Sequence, residues 1–230
     1  MGSGNGTTVS VVNLNTNTIT GTITVGQAPA SLAIAPDGTM VYTINYVNGN
    51  PGTGTMSIIR TSDNTVVGTI TGFFGPFGIT ITPNGNYAYV TNFGSNNFSP
   101  ISGGIAPNVV SGTTVSVVNL SSNMIVATIT LGNQPAGVAI TPDGRFVYVT
   151  NYNTFYLGPN FTNLTPGPGT VNIIDVCTNT VLCPEIIVGS SPSAIAISPD
   201  GKRAYVTNYS SNNVSVINIV DNMWLNLSCG

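Results

Sequence analysis

A Pro-Asp-Gly or Pro-Asn-Gly turn recurs four times along the chain, at Pro36-Asp37-Gly38, Pro83-Asn84-Gly85, Pro142-Asp143-Gly144 and Pro199-Asp200-Gly201, at spacings of 47, 59 and 57 residues. Each copy is followed by nearly the same phrase: Tyr42-Thr43-Ile44-Asn45, Tyr89-Val90-Thr91-Asn92, Tyr148-Val149-Thr150-Asn151 and Tyr205-Val206-Thr207-Asn208. A repeat of this length constrains the chain more than any single motif, because each unit buries its apolar surface only by packing on its neighbours. Asp-Gly or Asn-Gly between alternating apolar runs signals a tight antiparallel hairpin. Beyond each hairpin lies a third β-branched run, at residues 56–59, 115–118, 171–174 and 214–217, with a further copy at 9–12. Asn-rich tips then lead into fourth runs such as 21–25 and 127–131. Density in Val, Ile and Thr without helical periodicity marks these runs as strands. Four short antiparallel strands per repeat, A to D, predict an all-β chain, a β-propeller of four-stranded antiparallel blades.

The segment from Ser198 to Asn208 reads SPDGKRAYVTN and is followed by VSVIN from Val214 to Asn218. These phrases resemble the YVTN family of β-propeller repeats, and the resemblance covers nearly the whole chain. The first repeat departs from the pattern, with Thr43-Ile44 where the others carry Val-Thr. The resemblance implies the fold and a protein of the surface-layer or extracellular type. It implies little about activity, because a fold hosts many functions.

Strand order predicts a single propeller over residues 1–230, with repeats at 8–54, 55–113, 114–169 and 170–213 and a partial one at 214–230. The chain opens on strands C and D alone, so the reading is four complete blades plus an N-terminal half-blade. Nothing at the other end completes that half-blade. Either the chain is an excerpt of a longer propeller, or the open edge pairs with another copy, giving a homo-oligomer or polymer by edge-strand pairing. The first hairpin carries no charge to discourage such pairing.

Composition narrows the chemistry. Only 4 residues are Lys or Arg, 7 are Asp or Glu and none is His, for a net charge of −3. Solubility rests instead on neutral amides and hydroxyls, with 29 Asn and 31 Thr. The charge is weak and of the wrong sign for nucleic acid, and no apolar run reaches the ~18 residues of a membrane helix. A chain without His and with one Glu (Glu185) lacks the groups that most acid–base catalysis and most transition-metal sites use. The expectation is therefore a non-enzymatic extracellular or cell-surface structural glycoprotein, self-assembling in a layer, filament or particle, without catalytic residues, metal or cofactor. The alternative is a recognition module for surface proteins or glycans, and a propeller enzyme is the third reading.

Antiparallel order puts the B-to-C and D-to-A connections on one face of the disc. The B-to-C connections vary most in length and carry Phe98, Phe155, Tyr156 and Phe161, while one D-to-A connection adds Phe73, Phe74 and Phe77. Long loops on a rigid scaffold are where binding usually resides, so these aromatics are the candidate binding residues. Mutual packing of the loops is the competing reading. Asp37, Asp143 and Asp200 lie on separate blades and are explained by turn chemistry. Cys177 and Cys183 flank the tip at residues 178–180, a position where a disulfide is expected, which leaves Cys229 over. Asn-X-Ser/Thr sites occur at Asn5, Asn97, Asn119, Asn160, Asn163, Asn208, Asn213 and Asn226, those on loops being the better glycan acceptors.

Overall fold

The computed structural model describes residues 6–46, 52–94, 111–157 and 163–219, without side chains for 111, 154–157, 163–166 and 183. Every regular element among them is a strand. A hairpin of β1 (Thr8–Asn13) and β2 (Thr18–Thr24) is followed by blade I, made of β3 (Pro29–Ile34), β4 (Met40–Asn45), β5 (Gly54–Arg60) and β6 (Thr65–Phe73). Blade II holds β7 (Pro76–Ile81), β8 (Tyr87–Gly94), β9 (Ser111–Asn119) and β10 (Met124–Thr130). In the next stretch, β11 (Pro135–Ile140) and β12 (Phe146–Asn151) precede a small separate hairpin of β13 (Thr154–Leu157) and β14 (Asn163–Pro166). Then β15 (Gly169–Asp175) and β16 (Thr180–Val188) complete blade III with β11 and β12. Blade IV contains β17 (Pro192–Ile197), β18 (Arg203–Asn208) and β19 (Asn213–Asn218); its expected D strand falls largely on residues outside the described set. The fold is the all-β propeller expected, with its half-blade first.

The turn tripeptide behaves identically in each blade. Gly38, Gly85, Gly144 and Gly201 hold φ between 71° and 75°, a region where a Cβ is strained. The residue before each glycine accepts the backbone N–H two positions on: Asp37 from Thr39, Asn84 from Asn86, Asp143 from Arg145 and Asp200 from Lys202, each at 3.0 Å. Asp and Asn thus serve the turn equally well.

The innermost strands β3, β7, β11 and β17 lie side by side around the axis. Their approach is close enough that a Cβ on Gly78 would sit 2.5 Å from the Ala136 carbonyl oxygen, and one on Gly137 would sit 2.8 Å from the Ala194 Cα. Outward from the axis, successive blades clasp three apolar cores. Tyr42, Ile44, Met56 and Ile58 of blade I meet Ile79, Ala88, Val90 and Val118 of blade II. In the same way Tyr89, Val115 and Val117 meet Val147, Val149 and Ile174, and Tyr148, Val171 and Ile173 meet Ala204, Val206 and Ile217. The Thr43-Ile44 departure in the first repeat leaves β4 fully paired, with Ile44 entirely buried.

The Asn that ends each phrase is a latch between strands B and C. Asn45 donates from Nδ2 to Thr55 Oγ1 and Ser57 Oγ at 3.0 Å, and Asn92 to Thr114 Oγ1 and Ser116 Oγ at 2.9 Å. Asn151 donates to Thr170 Oγ1 and Asn172 Oδ1, and Asn208 to Asn213 Oδ1 and Ser215 Oγ, at 2.7 to 2.9 Å. All four are buried, which places their amides beyond the reach of a glycosylating enzyme and makes them scaffold.

Candidate functional site

The two ends of the blades differ in chemistry. At the D-to-A end, each chain reversal passes through a left-handed residue: Ala28 (φ 52°), Gly75 (53°), Gln134 (56°) and Ser191 (53°). Its carbonyl accepts the N–H of the residue after the latch Asn, from Tyr46, Phe93, Tyr152 and Tyr209, at 2.8 to 3.0 Å. An aromatic therefore stands at the same place in every blade, and each of the first two leans on the next blade. The Tyr46 hydroxyl donates to the Gly94 carbonyl at 3.0 Å, and Phe93 stacks edge-on against Tyr152 with centroids 5.8 Å apart. Phe77 joins the row 5.3 Å from Phe93. The sequence reading singled out loop aromatics and passed over this row, whose signal is one aromatic directly after each phrase.

Of the loop aromatics, Phe77 lies in the row and Phe74 is half-buried beside it, its N–H donating to Asn92 Oδ1 at 3.2 Å. Phe73 is fully buried in the core between blades I and II. Phe155 and Tyr156 fall on β13, inside a stretch read from sequence as plain loop, and only their backbone is described. Phe98 and Phe161 lie outside the described residues, as do Asn5, Asn97, Asn160, Asn226 and Cys229. Asn163 opens β14, Asn119 caps a C-to-D turn by accepting the N–H groups of Ser121 and Ser122, and Asn213 is engaged by Asn208.

Cys177 is a free, exposed thiol, so the expected bond to Cys183 is not formed. Register explains it. Strand pairing ends at Asp175 opposite Thr180, which places Cys177 in the turn, whereas Cys183 lies in β16 beyond Leu182, which faces Ile173.

Charge gathers at the opposite end. Every described Asp, Arg and Lys belongs to an A-to-B or C-to-D turn or to a strand end beside one. Between blades I and II this end opens into a cleft of about 540 Å³, lined by Asp37, Thr39 and Tyr42 on one wall and Asn84, Asn86, Tyr87 and Ser121 on the other. At the next junction the equivalent Tyr89 is covered, its hydroxyl donating to Asn179 Oδ1 of the blade III turn at 2.8 Å. The Thr39 N–H, followed by the Thr39 hydroxyl, holds the Asp37 carboxyl below its ordinary range. Burial, reinforced by the Asp37 charge, pushes the Tyr42 hydroxyl up. Near neutral pH the cleft thus presents an ionised acceptor beside a protonated phenol donor, with amide donors on the facing wall. No group of three or more His, Cys, Asp or Glu able to hold a metal occurs among the described residues.

The sheet order and the row of adjoining innermost strands define a β-propeller. The chain belongs to the family described as Lactonase, 7-bladed beta-propeller, whose model matches residues 73–222. No curated protein sequence matches it. Among solved structures it is similar to the Kuenenia stuttgartiensis hydrazine synthase, at TM-score 0.62 and 18% identity, over 93% of this chain and 78% of that one. It is also similar to a functionally unknown protein from Desulfotomaculum acetoxidans DSM 771, at TM-score 0.65 and 20% identity, over 92% of this chain and 57% of that one. At these identities both comparisons bear on the fold.

The family match overturns the expectation of a non-enzymatic surface protein. A shortage of His and Glu removes the commonest catalytic groups, but the described Asp residues all lie at one end of the blades, where Asp37 lines a cleft with Tyr42 and Tyr87.

Proposed function

We propose that this protein is a propeller enzyme of the lactonase family that opens a small, polar cyclic ester bound in the cleft between blades I and II. In this reading Asp37 accepts a proton from water as the water oxygen bonds to the ester carbon, and returns it to the ring oxygen as the ester C–O bond breaks, leaving the hydroxy acid and an ionised Asp37. Tyr42 and the facing amides of Asn84 and Asn86 donate hydrogen bonds to the ester carbonyl oxygen, where negative charge develops. The observation that carries the reading is the pairing of an ionised carboxylate with a protonated phenol in the 540 Å³ cleft. The YVTN resemblance is kept as a description of the repeat unit.

The test is turnover of a panel of lactones by the full chain and by Asp37→Asn. The protein carries its own control, because Asn84 fills the same turn position in blade II and accepts the Asn86 N–H at 3.0 Å. Asp37→Asn should therefore fold normally while kcat falls by about 10²-fold or more. Asp143→Asn and Asp200→Asn should leave the rate within about twofold, since neither lines the cleft. Unchanged turnover in Asp37→Asn, or no hydrolysis of any lactone by the full chain, overturns the proposal.

A further inference from the structure

The turn between strands A and B carries a different residue in each blade at one equivalent position. Blades III and IV place a cation there, Arg145 and Lys202, whereas blades I and II place Thr39 and Asn86. All four backbone N–H groups donate in the same way, at 3.0 Å, to the Asp or Asn two residues earlier. The turn is thus indifferent to the side chain at this position, which leaves its charge free to serve another purpose. Thr39 and Asn86 both line the cleft between blades I and II.

Asp37 is the only carboxyl among the lining residues, and no Lys or Arg stands among them. Arg60, cross-strand from the lining Met40, is engaged by Asp63 at 3.0 Å. The walls therefore set up a negative potential that no lining cation offsets, which an anionic ligand would meet as repulsion.

The hydrogen-bonding groups point to the same ligand class. Asn84 spends its Oδ1 on the Thr82 hydroxyl and the Asn86 N–H, and Asn119 spends its Oδ1 on the N–H groups of Ser121 and Ser122. Among the described residues their Nδ2 groups make no hydrogen bond, and neither do the Asn86 side-chain amide or the hydroxyls of Tyr42 and Tyr87. Both Thr39 donors fall on Asp37 Oδ1, which leaves Oδ2 as an acceptor. Neutral donors beside a carboxylate acceptor suit hydroxyl groups, each of which donates and accepts. A phosphate or carboxylate only accepts, so it would leave the Asp37 oxygen unpaired beside a like charge. Tyr87 adds a half-buried ring for the C–H side of such a ligand.

We propose that the cleft takes an uncharged, polyhydroxylated ring and discriminates against the same ring bearing a phosphate or carboxylate, with Thr39 and Asn86 setting the preference. This rests on the reading of the cleft as the lactone site and adds to it the class of lactone.

Calorimetric titration of the full chain tests it, using the hydrolytically stable lactam of a neutral aldonolactone and the same lactam phosphorylated, both at about 0.15 M salt. The neutral lactam should bind at least ~10-fold tighter. Thr39→Lys copies the Lys202 turn, so it should fold as the wild type does while narrowing that ratio at least ~10-fold. Asn86→Lys, on the facing wall, should narrow it likewise. Equal or tighter binding of the phosphorylated lactam overturns the proposal. So does absent binding of the neutral one, or a ratio unchanged in both variants. Hydrolysis of the parent lactones, followed in parallel, separates the two readings. Discriminating binding without hydrolysis supports this preference and overturns the hydrolytic reading, whereas hydrolysis without discrimination does the reverse.

Discussion

Raising the pH should unfold this protein through two tyrosines. Tyr89 and Tyr148 are each 1% exposed, in the cores between blades II and III and between blades III and IV. Burial first, with the charge of Asp175 for Tyr89 and of Asp143 for Tyr148, pushes each hydroxyl from 10.0 up to about 12. The folded chain therefore keeps two protons that the unfolded chain releases near pH 10, and stability falls as pH rises wherever the folded state binds more protons. The contribution is fully present below pH 10 and is lost progressively up to about pH 12. Each pKa unit corresponds to about 1.4 kcal/mol, so two units amount to about 3 kcal/mol per tyrosine and on the order of 5 kcal/mol for both. That is comparable with the whole stability of many domains, roughly 5 to 15 kcal/mol. The assay pairs urea unfolding at steps from pH 8 to 12 with the near-ultraviolet absorbance of tyrosinate. The two buried tyrosines should ionise only with unfolding. Tyr89→Phe should lose about 1 kcal/mol at neutral pH with its bond to Asn179, and roughly half of the alkaline slope. Ionisation of Tyr89 and Tyr148 near pH 10 in a chain that stays folded would refute the reasoning.

Gly137→Ala should destabilise the fold by about 1 to 3 kcal/mol, read as a lower urea midpoint, because the added methyl would meet the Ala194 backbone on the adjoining inner strand at 2.8 Å. Cys177, free and exposed in its turn, should react with a thiol reagent in the native protein without prior reduction, which mass spectrometry of the labelled peptide checks; protection in the absence of reductant would contradict the turn geometry.

The strands were legible because a period-2 apolar pattern and an Asp-Gly or Asn-Gly turn are local signals that tertiary context had little reason to override. The sheet order followed from four short antiparallel strands recurring in each repeat. What escaped reading was set by register or by contacts between blades. A bulge near Leu182 and a turn that begins at Asp175 decide that Cys177 and Cys183 are not opposite each other, and neither is visible in the spacing of six residues. Phe73 looks like a loop aromatic in Phe73-Phe74-Gly75-Pro76-Phe77, yet the strand continues through it and turns it into the core.

The hairpin of β13 and β14 was hidden because Gly, Pro and Asn between its strands read as loop. The cleft was harder still, since its two walls come from different repeats 47 residues apart. What distinguishes that junction is the neighbour. Asn179 of blade III reaches the Tyr89 hydroxyl, whereas the turn at residues 119–121 of blade II lines the opening in front of Tyr42. A repeat sequence announces what its units share, and function sits where one unit differs from the rest. For this chain that difference is Asp37 facing Asn84 across an open junction.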